Sequence, residues 1–203
     1  MKKFLIFSVF MMSFLQCFSY KTCNNNDLNN KMVILYKSYN EKKYYIFFNN
    51  FPSNFNNLIY SYDYNARNKN NLYNLYDKHI PYFFDSYKTG RVGVDEIIKK
   101  IYPIACEGRW SADAVDLFQN CLRKMIVNET PWIIQELKKH SNDRNTKFWH
   151  FVLDGSPSLD KQIKVIYNDL YKAVSKQDPK QAYVMKLEFN RMYNLNKKIN
   201  MCK

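Results

Sequence analysis

His150 lies four residues before Asp154 in the phrase Phe148-Trp149-His150-Phe151-Val152-Leu153-Asp154-Gly155. On a helix that spacing puts both side chains on one face, where a carboxylate can orient an imidazole for acid or base work. The pair has no nucleophile beside it, and a histidine seating an aromatic-rich helix needs none, so the structural role is the stronger expectation. The other histidines are His79 and His140. Asp95, Glu96, Asp113 and Asp116 sit where helix starts welcome negative charge, which accounts for them without chemistry. The chain contains no HExxH pair, no GxSxG elbow, no glycine-rich phosphate loop and no closely spaced cysteine pair. The usual enzyme classes are therefore disfavoured, and neither a metal site nor a cofactor is expected.

Charge and exposed aromatics are the features left to carry a function. The net charge is +13, from 31 lysines and arginines against 18 acids. From Lys161 to Lys203 ten basic residues face Asp169, Asp178 and Glu188, so one end of the chain carries much of the field. Such a field favours anionic partners, although a solvated lysine-rich face serves solubility equally well. Candidate partner contacts are Arg109 and Trp110, expected at a helix corner, and the basic residues Lys186, Arg191, Lys197 and Lys198. Trp110 is either an exposed anchor or a plug between helices. The aromatics follow core periodicity instead of lining a basic strand face, so no nucleic-acid partner is expected.

The elements that must hold these residues are helices. Four glycines and six prolines are too few for a sheet-rich fold with many tight turns. Val94, Ile97, Ile98, Ile101 and Ala105 share one face of a helix that ends before Gly108. Ser111 is the expected cap of the next, which carries the stripe Ala114, Val115, Phe118, Cys121, Leu122 and Met125. Thr130-Pro131 starts another, further helices span about 142–153 and 159–174, and Asp178-Pro179 caps the last. A helix from Leu72 meets Pro81, which must kink or break it. Met32–Tyr36 and Tyr44–Phe48 are short apolar runs whose length and composition allow either a small β-hairpin or two short helix pieces; they are read here as strands, and a polar leader over 20–31 precedes them. The expected fold is a compact, bundle-like array of six to seven helices with that hairpin near its N-terminus.

The chain begins with Lys2 and Lys3, then a greasy run from Phe4 to Leu15, then Cys17-Phe18-Ser19. Twelve residues make about 18 Å of helix, too short for a hydrocarbon core of roughly 30 Å. The layout predicts a signal peptide over residues 1–19, cleaved after Ser19, and a periplasmic or secreted domain over 20–203 with a net charge of about +11 once Lys2 and Lys3 are gone. Export permits disulfides. Cys23, Cys106, Cys121 and Cys202 allow three pairings, of which Cys106 with Cys121 and Cys23 with Cys202 are the favoured pair of bridges. Cys121 also suits a plain core thiol.

Phe51-Pro52-Ser53-Asn54-Phe55, the run from Gly108 to Val115 with Phe118-Gln119, and the phrase from Phe148 to Gly155 together resemble the spaced signature of small, uncharacterised exported bacterial proteins. The resemblance covers roughly residues 51–175. It implies a compact, helix-rich bacterial domain, with no catalytic residues to carry over and with the basic tail and cysteine set peculiar to this chain. Basic, exported and without a reaction motif, the chain has the profile of an inhibitor or immunity-type protein that binds an acidic partner outside the cytoplasm. The alternative is an envelope protein whose last helix lies on an anionic membrane through Met185, Phe189 and Met192.

Overall fold

The computed structural model describes residues 25–66, 68, 70–111, 113–155 and 160–201, with the side chains of all of these except Asn25, Asp160, Lys161 and residues 195–201. The expected signal peptide, Cys23 and Cys202 lie outside the described residues, as do the side chains of Lys197 and Lys198.

Ten α-helices and two short 3₁₀ turns, with no strand, make up the fold of the described residues. They are α1 (Asn25–Asn40), α2 (Tyr44–Asn50), α3 (Phe55–Tyr62), α4 (Tyr76–Asp85), α5 (Val94–Glu107), α6 (Ala114–Asn128), α7 (Thr130–Leu137), α8 (Asn142–Leu153), α9 (Asp160–Gln177) and α10 (Pro179–Met201). The helical class agrees with expectation; the hairpin and the count of six to seven do not. Both strand candidates are helices, because Leu28, Met32 and Leu35 recur at helical spacing and bury one face of α1. Most of the polar leader belongs to that helix, where Asp27 and Lys31 pair at 2.7 Å one turn apart. The turn into α2 carries no glycine. Lys42 takes its place in the left-handed region at φ 55°, and the Lys43 N–H donates to Ser38 O at 2.8 Å.

α1 to α4 form an aromatic layer. Phe51 stacks on Phe83 at 3.9 Å, and Phe84 meets Phe118 of α6 edge-on at 5.0 Å. α5, α6 and α8 make the centre of the core with Ile101, Phe118 and Phe151, none more than 1 % exposed. α7, α9 and α10 close the other side, α10 lying along α8 and α9. α4 continues through Pro81 without a break, its preceding turn supplied by the 3₁₀ residues Tyr73–Leu75.

Local chemistry agrees with several expected boundaries and moves others. Ser141 accepts from the Arg144 N–H at 3.3 Å to start α8, and Asp178 Oδ1 accepts from the N–H groups of Lys180 and Gln181 at 2.9 and 3.0 Å to start α10. Ser111 is not the cap of α6; Asp113 holds that place, at φ 52°. Thr130 begins α7 from inside, donating its hydroxyl back to Ile126 O at 2.7 Å. Cys106 and Cys121 are free thiols. Cys106 faces α8 and donates to Arg144 O at 3.5 Å, whereas burial pushes the Cys121 thiol up to about 11 beside Lys88 and Asp85, so the two cysteines serve separate helix contacts instead of clamping a hairpin.

Candidate functional site

α8 turns Phe148, Trp149, Phe151 and Val152 inward and leaves His150 at the edge, its side chain 37 % exposed. α10 packs along that edge and inserts Glu188, whose side chain is 1 % exposed. A buried carboxylate must be paired. Glu188 Oε1 accepts from His150 Nδ1 at 2.7 Å and from Arg191 Nη2 at 2.6 Å, and Oε2 accepts from Arg191 Nε at 2.8 Å. Burial pushes the Glu188 carboxyl up, but the hydrogen bonds and charges of Arg191 and His150 prevail and hold it below the usual range. An ionised carboxylate only accepts, so Nδ1 carries the hydrogen and Nε2 of the imidazole stays without a bond to any described residue.

These groups border an open groove of about 310 Å³. The end of α5 contributes Cys106 and Gly108; α8 adds Asp143, Thr146 and Lys147 beside His150; Glu188 and Arg191 come from α10. Lys147 and Asp143 pair at 3.3 Å on the exposed rim. Arg191, its side chain 56 % exposed, has two of its nitrogens held against Glu188 in a fixed orientation. The groove can therefore present a positioned guanidinium to an anionic group, beside an imidazole whose Nδ1 is already taken by Glu188, without first ordering either of them.

The expected partner contacts are divided by the fold. Gly108, which precedes Arg109, lines the same groove as Arg191, so the α5–α6 corner and the last helix meet there. Arg109 is exposed. Trp110 is half-buried, and its backbone N–H donates to Asp154 Oδ2 at 2.7 Å, so it sits pinned in the corner. Lys186 is exposed but lies about 140° round α10 from Arg191 at 100° per residue, so the two do not form one cluster. His150 and Asp154 do not bond to each other: Glu188 takes the imidazole and Trp110 takes the carboxylate.

Two polar residues to which the sequence assigned no role, Gln119 and Arg123, govern the end of α8. Gln119 Nε2 donates to Phe151 O at 2.6 Å, and Arg123 donates through Nε to Val152 O at 2.8 Å and through Nη2 to Asp154 O at 2.7 Å. Four residues apart on α6, they answer carbonyls that α8 cannot satisfy itself. Their signal was position: both adjoin the apolar stripe of α6, where a solvent-facing residue does not belong. At the same end Gly108 approaches Phe151 so closely that a Cβ would lie 2.6 Å from ring Cε2, and Phe55 meets Phe151 at 6.1 Å. The three phrases that carry the sequence resemblance thus converge on one corner.

No family model, no curated protein and no solved structure matches this chain. No group of histidine, cysteine or acidic side chains among the described residues is placed to hold a metal ion, and no described helix is long and apolar enough to cross a membrane.

Proposed function

We propose that this chain is an exported, non-enzymatic binding protein, of inhibitor or immunity type, that engages an acidic partner protein outside the cytoplasm through the groove between α5, α8 and α10. The observation that carries the reading is the Glu188 network: a buried acid holds Arg191 and His150 in place at an open groove. A pre-ordered guanidinium lowers the cost of ordering side chains on association, and the net charge of about +11 left once Lys2 and Lys3 are gone speeds encounter with an acidic surface. A membrane-lying last helix has less support, because Met185 is fully buried and Phe189 stacks on Tyr167 of α9 at 4.0 Å, which occupies the apolar face that role requires.

Two measurements test it. Sequencing of protein recovered from source cells is expected to begin at Tyr20; a cytosolic chain that begins at Met1 removes the extracytoplasmic reading. The chain from Tyr20, immobilised and exposed to the source envelope fraction, is expected to capture a partner that elutes as salt rises, with capture falling about tenfold in Arg191→Ala, the loss typical of an interface residue that matters. Equal capture by that variant, or none by the wild type, overturns the groove as the binding site.

A further inference from the structure

α10 carries a second feature that the groove does not use. Lys180, Tyr183, Leu187 and Arg191 follow one another at steps of three, four and four residues, which places them within about 80° of one another over about 16 Å of helix. Tyr183 is 59 % exposed and Leu187 51 % exposed. Lys186 flanks Tyr183 on the other side of the stripe, about 60° away. The helix contains a single acid, Glu188, and that acid is turned inward and neutralised. Its outward face therefore shows two apolar side chains bordered by cations and no exposed carboxylate of its own. Arg191 ends the stripe at the groove, so stripe and groove are continuous.

We infer that the outward stripe Lys180–Tyr183–Leu187–Arg191 docks an acidic helical segment of the partner protein, with a pair of the segment's apolar side chains one turn apart against Tyr183 and Leu187 and its carboxylates against the flanking cations. The inference rests on the binding reading above and specifies what that partner presents. Charge complementarity supports it: an outward helix face with cations on both edges and no exposed acid selects against basic and favours acidic surfaces. The spacing supports it too, because apolar anchors at i and i+4 are what a facing helix can match. A membrane surface is the poorer occupant. An interfacial helix buries a broad apolar face, whereas here the broad face, through Ala182 and Met185, is already packed inside the protein.

The test uses three defined probes against the chain from Tyr20: a labelled helical peptide with leucines at i and i+4 flanked by glutamates, a polyglutamate peptide of equal charge, and phosphatidylglycerol vesicles. The leucine-bearing peptide is expected to bind more tightly than polyglutamate by fluorescence anisotropy. Tyr183→Ala/Leu187→Ala is expected to weaken it at least tenfold and to leave polyglutamate binding unchanged. Both side chains are exposed, so the double variant should keep its helical circular dichroism, and Leu187→Met should bind as the wild type does. Unchanged peptide affinity in the double variant, or vesicle sedimentation without peptide binding, overturns the stripe. Envelope capture that survives Tyr183→Ala/Leu187→Ala but not Arg191→Ala also overturns the stripe and leaves the groove reading standing. With no envelope capture by any form the groove reading falls, and the peptide comparison alone decides the stripe.

Discussion

Arg123 and Arg191 both bear on helix α8, and His79 and His150 both sit against aromatic-rich helices, yet the first of each pair is enclosed and the second is open. Arg123 is 7 % exposed and spends its guanidinium on carbonyls at the end of α8 and on Asn120. Arg191 bonds one buried carboxylate and remains largely in solvent. His79 is fully enclosed, with rings of Tyr39 and Phe47 at 4.8 and 5.2 Å, Tyr62 Oη 3.1 Å from Nδ1, and Nε2 without a partner. His150 has its Nδ1 held, and its other nitrogen bonds no described residue. Residue type alone does not separate scaffold from recognition. The difference is whether the polar atoms are consumed by the protein or held ready for something else.

The widest separation is expected between the two arginines. Arg123→Met strands the Val152 and Asp154 carbonyls and should cost about 3 to 4 kcal/mol, whereas Arg191→Met leaves the buried Glu188 carboxylate with His150 Nδ1 still bonded to it and should cost less, about 2 kcal/mol, while weakening partner capture. Urea titration of both variants measures this; equal losses would abolish the distinction drawn between them.

The enclosed histidine should show itself in the pH dependence of stability. Burial, with a smaller contribution from Lys78 that Asp77 opposes, pushes the His79 imidazole down to about 4, and the phenols of Tyr39 and Tyr62 around it supply no charge. The unfolded chain protonates this histidine from about pH 6.5 downward while the folded chain does not, so stability falls as pH drops from about 6.5 to about 4, by about 3 kcal/mol in total. His79→Phe should flatten that slope in urea titrations at pH 7.5 and 4.5. Glu188, Glu136 and Asp178, all held below their ordinary range, keep their stabilising contribution above the unfolded carboxyl pKa and lose it only as pH falls further. A slope that survives in His79→Phe would show that the enclosed histidine is not its source.

The smaller effect belongs to the corner where the enclosed and open regions meet. Gly108→Ala drives a methyl against the Phe151 ring and should cost about 2 kcal/mol by overpacking. Thermal unfolding should register it as a lower midpoint, and an unchanged midpoint would mean that the corner gives way easily.

Helices α5, α6 and α8 were legible because their apolar stripes are long enough to show a 3.6-residue period, and the start of α10 because Asp178-Pro179 is a strong local signal. α1 and α2 were not. α2 is seven residues long, too short to display a period, and the bend before it is made by Lys42, a residue whose type announces no turn. For the site, His150 and Arg191 were legible as residues worth watching, one for its neighbours and one for its charge. Their shared acid was not, since Glu188 stands 38 positions from His150 and nothing local marks it as buried.

Composition and periodicity settled the helical class, the excess of positive charge and where several helices begin, since each depends on residues within a few positions of one another. Which acid meets which base depends on how helices pack. Hydrogen bonds act only over about 3 Å, and residues distant in the chain come that close only after the core has closed. Packing alone made Arg123 part of the scaffold, and packing alone left Arg191, Tyr183 and Leu187 facing outward.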